Sequence, residues 1–223
     1  MRIYNIMYMV TQADVIKTVS YDQEEIIKNI LTLYCPDGVI EVDPTFSKEN
    51  FYKNLPKPKY VYDINPQSTE VIQSDCRHLP HENESVTSIM FDPPFIVGMP
   101  AKNVDSSSII ANRFSRCFDI KDLWQLYHDA LLEFYRILKP NGILIFKTQD
   151  TVSSAKQYLS HVEIINYAVT LGFYPKDVFV LVAKNRIIGA THHKQQHARK
   201  YHSYFIIFVK QASPVKYFGA SKQ

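Results

Sequence analysis

The sequence predicts an α/β domain with a mostly parallel sheet and helices on both of its faces. Short apolar segments alternate along the chain with longer segments in which apolar residues recur at helical spacing. The last two apolar segments, 178–183 and 204–209, have no helix between them, which predicts an antiparallel hairpin at the sheet edge. The length of 223 residues fits one such domain, and a hydrophobic content of 46% is enough to bury a core.

The first half of the chain is expected to contain one helix and four strands. The helix is predicted over 22–33, where apolar residues recur every three or four positions and acidic residues occupy the first turn. The strands are predicted at 39–42, 61–62, 71–73 and 86–91. An aspartate lies at or near the end of each strand: Asp43, Asp63, Asp75 and Asp92. Ligands of open α/β sheets bind at the carboxyl ends of the strands, so these carboxylates indicate a binding site.

The second half is expected to contain two helices and three strands. A helix over 123–138 ends at the turn 139–142, and the fifth strand follows at 143–146. A further helix is predicted over 153–171, ending at Gly172. The two hairpin strands bring the sheet to seven. We expect one domain, with a helical lead-in at 1–38, a core at 39–210 and a tail at 211–223.

The turn after the fourth strand reads Asp92-Pro93-Pro94-Phe95. Two prolines fix φ and remove two N–H donors, so this turn is stiff. Pro93 also directs Asp92 away from the helical region. A carboxylate, a backbone carbonyl and an aromatic ring are thereby held in a fixed relation, a combination that can bind a planar amine.

This motif, followed by a helix and then by the turn 138–142 (LKPNG), resembles the Asn/Asp-Pro-Pro-aromatic signature of class I S-adenosylmethionine-dependent amino-methyltransferases. The resemblance covers 39–209 in element order. It implies a Rossmann-like class I methyltransferase fold with a mostly parallel seven-stranded sheet. It also implies S-adenosyl-L-methionine as the cofactor. The signature is typical of DNA adenine-N6 and cytosine-N4 methyltransferases and occurs in RNA adenine and protein glutamine enzymes.

The implied activity is methyl transfer to an exocyclic amino group of a nucleic-acid base, with DNA adenine N6 as the preferred substrate. RNA adenine and protein glutamine remain alternatives within the same chemistry. A degenerate fold that binds nucleic acid without catalysis is the alternative from another class. A nicotinamide oxidoreductase is disfavoured, because the chain has no G-x-G-x-x-G.

The resemblance also implies roles for single residues. The catalytic positions are Asp92, Pro93, Pro94 and Phe95. Asp43, Pro44 and Thr45 would lie beside the methionine part of the cofactor. Asp63 would bind the ribose hydroxyls, and Asp75 and Cys76 would adjoin the adenine.

The loop after the first strand departs from the family pattern Asp-Pro-x-x-Gly-x-Gly. Ser47 and Glu49 stand where the family has glycines, which allow close backbone approach to the cofactor. The chain has six glycines, whereas average usage predicts about 15. Either the loop takes another path, with Lys48 or Lys53 pairing the cofactor's carboxylate, or cofactor binding is weak.

Positive charge is concentrated at the end of the chain. The net charge is +3, no Asp or Glu follows Asp177, and eight Lys or Arg do. The segment 96–120 is expected to be a lid or substrate-contact loop, although an ordinary surface insertion explains it equally well. For the segment 184–202, phosphate contact is preferred over a solvated basic hairpin, with DNA as the preferred nucleic acid. The predicted contacts are Lys102, Arg113, Arg116, Lys194, Arg199 and Lys200.

The cysteines and histidines favour neither disulfides nor metal. Cys35, Cys76 and Cys117 are far apart without a CxxC pair, which is typical of free thiols in the cytoplasm. The histidines at 192, 193, 197 and 202 lack a neighbouring Cys or acid, so we expect no metal. We also expect no secretory signal and no membrane partner. The oligomeric state stays open, with a homodimer as one option.

Overall fold

The computed structural model describes residues 15–47, 51–95, 97, 119–184 and 196–215. The helices in these ranges are α1 (Gln23–Tyr34), α2 (Ile120–Ile137) and α3 (Ser160–Leu171). The strands are β1 (Val19–Ser20), β2 (Val42–Asp43), β3 (Tyr60–Asp63), β4 (Ile72–Gln73), β5 (Val86–Phe91), β6 (Leu138–Thr148), β7 (Thr151–Ser153), β8 (Lys156–Tyr158), β9 (Phe173–Val182) and β10 (His202–Lys210).

Eight of these strands form one sheet in the order β1-β9-β10-β6-β5-β2-β3-β4. Strands β2 to β6 are mutually parallel, whereas β10 runs antiparallel to both β6 and β9. The mostly parallel sheet with an antiparallel hairpin is therefore confirmed, and its strand order is that of the Rossmann-like class I methyltransferase fold. The hairpin does not form the edge of the sheet as predicted, because β1 lies outside β9. The sheet has one more strand than predicted, because two residues of the lead-in, Val19 and Ser20, pair with β9 as β1.

Helix α1 begins one residue later than expected. Asp22 is its N-cap, and the Asp22 carboxylate accepts a hydrogen bond of 2.9 Å from the backbone N–H of Glu24. Strand β5 has the predicted bounds. Strand β2 is shorter than predicted and includes Asp43 itself, so this carboxylate belongs to the last residue of the strand.

The prediction of one helix over 153–171 is wrong for its first part. Residues 151–158 form the β7–β8 hairpin, and α3 begins only at Ser160. Ser154 and Ala155 both have positive φ, 49° and 56°, which is the conformation of a two-residue hairpin turn. Neither residue is a glycine or asparagine, so composition gave no signal for this turn. The predicted end at Gly172 is confirmed, since this residue is the left-handed C-cap.

The turn at 139–142 interrupts β6 without ending its pairing to β5. Leu138 pairs with Val86, and pairing resumes when Ile143 meets Ser88. Asn141 is in the left-handed region at φ 65°. A Cβ at Gly142 would lie 2.8 Å from the carbonyl oxygen of Lys139, which excludes a side chain there.

The central strands are covered on both faces. Phe91 and Phe146 face α2, and the Phe91 ring meets the rings of Phe134 and Phe146 edge to face at 4.8 and 5.0 Å. Met90 and Ile145 face the opposite side, in the core built around α1. Because side chains alternate along a strand, the residue after Phe146 in β6 points toward the α1 face.

Candidate active site

Three predicted aspartates lie at the carboxyl ends of neighbouring strands. Asp43 ends β2, Asp63 ends β3, and Asp92 directly follows β5, which pairs with β2 on its other side. Asp43 and Asp63 are 1% and 9% exposed, and the side chain of Asp92 is 23% exposed. The strand order places these carboxylates at the centre of the sheet, where open α/β sheets bind their ligands.

Asp43 is a buried carboxyl group with three hydrogen-bond donors around it. Its Oδ1 accepts from the backbone N–H of Thr45 at 2.8 Å and from the Thr45 hydroxyl at 3.3 Å. Its Oδ2 accepts from the Tyr52 hydroxyl at 2.9 Å. Burial raises the pKa of Asp43 to about 7, against the lowering effect of these hydrogen bonds, and the charge of Asp92 adds to the increase. This group therefore changes its charge near neutral pH.

Thr45 connects Asp43 to the Asp-Pro-Pro-Phe turn. The Thr45 hydroxyl oxygen accepts a hydrogen bond of 2.9 Å from the backbone N–H of Asp92. The loop after β2 and the turn after β5 are thus joined through one side chain. The predicted Asp-Pro-Thr loop serves as a direct support of the Asp92 backbone.

The carboxylate of Asp92 lies beside a buried lysine that the sequence did not single out. Lys147, near the end of β6, places its Nζ 3.4 Å from Oδ1 and 3.5 Å from Oδ2 of Asp92. The same ammonium donates to Oε1 of Gln23 at 3.2 Å and lies 4.7 and 5.6 Å from the ring centroids of Phe51 and Phe205. The sequence does contain a signal for this contact. Lys147 directly follows the apolar strand predicted at 143–146, and a charged residue in a central strand needs a buried partner.

The two prolines are held from the other side by α2. The hydroxyl of Tyr127 donates a hydrogen bond of 2.7 Å to the carbonyl oxygen of Pro94. Tyr127 lies within the predicted helix 123–138, at a spacing typical of a core position, and its ring is 1% exposed, in edge-to-face contact with Phe146. Its hydroxyl nevertheless fixes the turn. Phe95 is only half-buried at the end of the turn.

In the loop after β2, Ser47 and Glu49 replace the family's two glycines, and the first of these positions keeps a glycine-type backbone. Ser47 has φ 52°, in the left-handed region that favours glycine, and its backbone N–H donates to Oδ2 of Asp63 at 3.1 Å. Oδ1 of Asp63 accepts from the backbone N–H of Asn65 at 2.8 Å. The Ser47 hydroxyl is buried and has no hydrogen-bond partner among the residues that the structure describes. Lys48 and Glu49 lie outside those residues, so the contacts expected of them are not described.

Asp75 is engaged with a neighbouring arginine. Arg77 donates to both carboxylate oxygens of Asp75, at 2.9 and 2.6 Å, and its backbone N–H donates at 3.0 Å. These contacts lower the pKa of Asp75. Cys76 packs against the core around α2, and burial raises the pKa of its thiol to about 12.

The predicted nucleic-acid contacts are described only in part. Arg199 is exposed, and Nζ of Lys200 donates to the carbonyl oxygen of Ala198 at 3.3 Å. Lys102, Arg113, Arg116 and Lys194 lie outside the described residues. Tyr204 at the start of β10 pairs with Thr148 at the end of β6, and His202 pairs with Val182 at the end of β9. The basic connection between β9 and β10 therefore leaves the sheet at the same edge as the three aspartates.

The described ranges contain no group of three or more His, Cys, Asp or Glu arranged to hold a metal ion. Among the same residues, no helix has the length and apolarity needed to cross a membrane. Cys35 and Cys76 are free thiols, and Cys117 lies outside the described part of the chain.

Comparisons with known proteins add the following. No protein-family model matches the chain, and no curated protein matches it. Among solved structures, it is similar to TTHA0409 from Thermus thermophilus, which carries a provisional description as a DNA modification methylase. The identity is 16%, the match covers 66% of this chain and 56% of that chain, and the TM-score is 0.42. TrmN from Thermus thermophilus is 16% identical over 84% of this chain and 48% of that chain, with a TM-score of 0.47.

A SAM-dependent methyltransferase from Methanosarcina mazei is 10% identical over 82% of this chain and 97% of that chain, with a TM-score of 0.45. By contrast, the match covers 56% of TTHA0409 and 48% of TrmN, so the chain spans about half the length of the two Thermus proteins. Identities and TM-scores of this size do not indicate an activity or a substrate.

Proposed function

We propose that the protein transfers a methyl group from S-adenosyl-L-methionine to an exocyclic amino group of a nucleic-acid base, with adenine N6 of DNA as the preferred acceptor. The observation that carries the proposal is the placement of the Asp92-Pro93-Pro94-Phe95 turn. It follows the central strand β5, beside the buried Asp43, and is anchored by Thr45 on one side and Tyr127 on the other. A rigid acceptor group at this point is what amine recognition requires.

The residues around Asp63 fit the cofactor. Each oxygen of the Asp63 carboxylate accepts one backbone N–H, and each retains a lone pair that can accept a ribose hydroxyl. The buried Ser47 hydroxyl, without a partner among the described residues, supplies a further polar group beside this carboxylate. When it is ionised, above its raised pKa of about 7, Asp43 provides negative charge near the site, which favours a cationic ligand. When bound, S-adenosyl-L-methionine supplies an electrophilic methyl group on a sulfonium.

The chain's own residues would orient the acceptor amine. The Asp92 carboxylate and the Pro93 carbonyl accept the two N–H groups of the amine, which favours a pyramidal and more nucleophilic nitrogen. Phe95 stacks on the attached ring, and a base in a duplex must first be flipped out of the helix. The amine needs no strong base, since its proton can leave to water after the transfer. Most of the rate enhancement then comes from positioning.

The basic connection between β9 and β10 would contact the phosphate backbone. It leaves the sheet at the edge that carries Asp92, and Arg199 is exposed there. Phosphate contacts from Arg199 and Lys200 would position the nucleic acid without reading its sequence. The same role is proposed for four residues outside the described part of the chain: Lys102, Arg113, Arg116 and Lys194.

The test is transfer of a labelled methyl group to DNA, RNA or protein, with Asp92→Ala as the decisive variant. Alanine removes both acceptor oxygens of Asp92, and we expect methyl transfer to be lost while the cofactor still binds. Asp177→Ala is the matched control, because Asp177 is also a half-buried carboxylate; it accepts a hydrogen bond of 2.7 Å from the Tyr34 hydroxyl. Full activity in Asp92→Ala would overturn the assignment. Bound nucleic acid with no transfer in the wild type would instead favour a non-catalytic module.

A further inference from the structure

Lys147 and Asp92 form a largely buried ion pair beside Asp43. We propose that Lys147 is a positioning residue that keeps Asp92 in its carboxylate form, so that the ionisable proton of the site resides on Asp43. This inference rests on the proposed function, because the carboxylate form of Asp92 matters only if it must accept the hydrogen bonds of an amine.

The first step of the argument is that two carboxyl groups share one small site. Thr45 accepts a hydrogen bond from the Asp92 backbone and donates one to the Asp43 carboxylate. The negative charge of Asp92 is one of the causes that raise the pKa of Asp43. Two like charges in such a site resist simultaneous ionisation, so one group tends to retain a proton.

The second step is that the described surroundings of the two groups differ. Asp43, Tyr52 and Lys147 are titratable or charged groups among the described residues that interact with Asp92. The Tyr52 hydroxyl donates to Asp43, whereas the Lys147 ammonium lies against both oxygens of Asp92. A cation at 3.4 Å favours the charged form of its partner. Lys147 thereby makes Asp92 the carboxylate and leaves Asp43 to take the proton.

The third step is that Lys147 is held in place by more than Asp92. Gln23 at the start of α1 accepts one hydrogen bond from the ammonium, and the rings of Phe51 and Phe205 lie on two further sides. The cation is therefore fixed before any substrate arrives. An ionised carboxylate has about four lone-pair sites, so Asp92 can accept from the ammonium and from an amine together.

The test compares the pH dependence of methyl transfer in Lys147→Met, Lys147→Arg and the wild type. Without the cation, a proton competes for Asp92, and the pH at half-maximal rate should rise by about 1–3 pH units. The rate should then fall at the acid end of the profile and recover at higher pH. Arginine keeps the charge and stacks well on aromatic rings, so Lys147→Arg should keep the wild-type midpoint even if kcat is lower.

Lys210 offers a matched control at the other end of the sheet. It is also a buried lysine, it pairs with Glu84 at 3.0 Å, and its ammonium lies 4.6 Å from the centroid of the Tyr135 ring. Lys210→Met should lower stability without moving the pH profile. An equal loss of rate at every pH in Lys147→Met would overturn the proposal. If Lys147→Met does not fold, Lys147→Gln serves for the same comparison.

A stability measurement separates this inference from the proposed function. Urea midpoints at pH 8 are compared for Lys147→Met, Asp92→Asn and the double variant. If Lys147 and Asp92 form a charge pair, either change alone lowers the midpoint, and the second adds little to the first. Additive losses would refute the pairing whether or not the protein is active. A coupled pair without methyl transfer on any substrate would refute the proposed function while leaving the pairing intact.

Discussion

Replacing Asp43 with asparagine is expected to change how the stability of the protein depends on pH. Burial raises the pKa of the folded-state carboxyl to about 7 from an ordinary value of 3.8. A group whose folded pKa is raised loses its contribution to stability as pH rises, starting near the unfolded pKa and ending near the folded one. Asparagine resembles the protonated form at every pH, so Asp43→Asn should lack this loss.

The size of the effect follows from the two pKa values. Between pH 5 and pH 7 the unfolded carboxyl is ionised while the folded one is still largely protonated, so stability falls by about 1.4 kcal/mol per pH unit. The wild type should therefore lose about 2 kcal/mol relative to Asp43→Asn over this window, with little further loss above pH 8.

The assay is urea unfolding of both proteins at pH 5, 6, 7 and 8, read as the difference between them. Groups that titrate alike in both proteins cancel from that difference. His81 is one of these, because burial lowers its pKa whether or not Asp43 is present. A difference that stays constant across the four pH values would refute the assignment of a buried, protonated Asp43.

Three further predictions concern the same edge of the sheet. Cofactor affinity, measured by calorimetry, should rise with pH from 6 to 8, because a cationic cofactor binds the ionised form of Asp43 better; a flat profile would contradict this. Ser47→Gly should raise the free energy of unfolding by about 1 kcal/mol, because glycine adopts the left-handed backbone at this position without strain. A lower free energy of unfolding in urea would show that the Ser47 hydroxyl is needed. Tyr127→Phe removes the donor of the partly buried Pro94 carbonyl, so it should cost about 0.5–1.5 kcal/mol of stability. The same variant should lower kcat more than it weakens cofactor binding, and unchanged kinetics would argue against this anchor.

The convergence of Asp43, Asp63 and Asp92 could be predicted because it follows from parallel strands alone. Strands that run in the same direction end at the same edge, so a carboxylate at the end of each is delivered to one place. The engagement of Asp75 with Arg77 could not be predicted in this way. It depends on the path of an irregular segment after β4, where no periodic pattern constrains the side chains.

Contacts between distant segments were the main source of missed residues. In the sequence, Lys147 stands at the end of an apolar strand, and its contacts with Asp92 and Gln23 become visible only when β6 is placed beside β5 and α1. The helical spacing of Tyr127 correctly predicts a core position, but it says nothing about where the hydroxyl points. The helix over 153–171 was predicted too long because the hairpin turn at Ser154 and Ala155 lacks the residues that normally mark a positive φ.

The low glycine content suggests that the loop after β2 could not bind the cofactor as the family does. The structure shows that Ser47 adopts the glycine-type conformation and that its N–H reaches Asp63. A serine can hold this backbone at a cost of about 1–2 kcal/mol, which the surrounding contacts must offset. Of the two positions where the family has glycines, only Glu49 therefore still argues against family-type cofactor binding.

The most direct test of the central claim is the identity of the methylated product. Duplex DNA is incubated with the protein and methyl-labelled S-adenosyl-L-methionine, digested to nucleosides and analysed by mass spectrometry. We predict label on the exocyclic nitrogen of adenine, as N6-methyl-2′-deoxyadenosine, and its loss in Asp92→Ala but not in Asp177→Ala. Label on a ring carbon, on a ring nitrogen or on no nucleoside of DNA or RNA would contradict methyl transfer to an exocyclic amine of a nucleic-acid base.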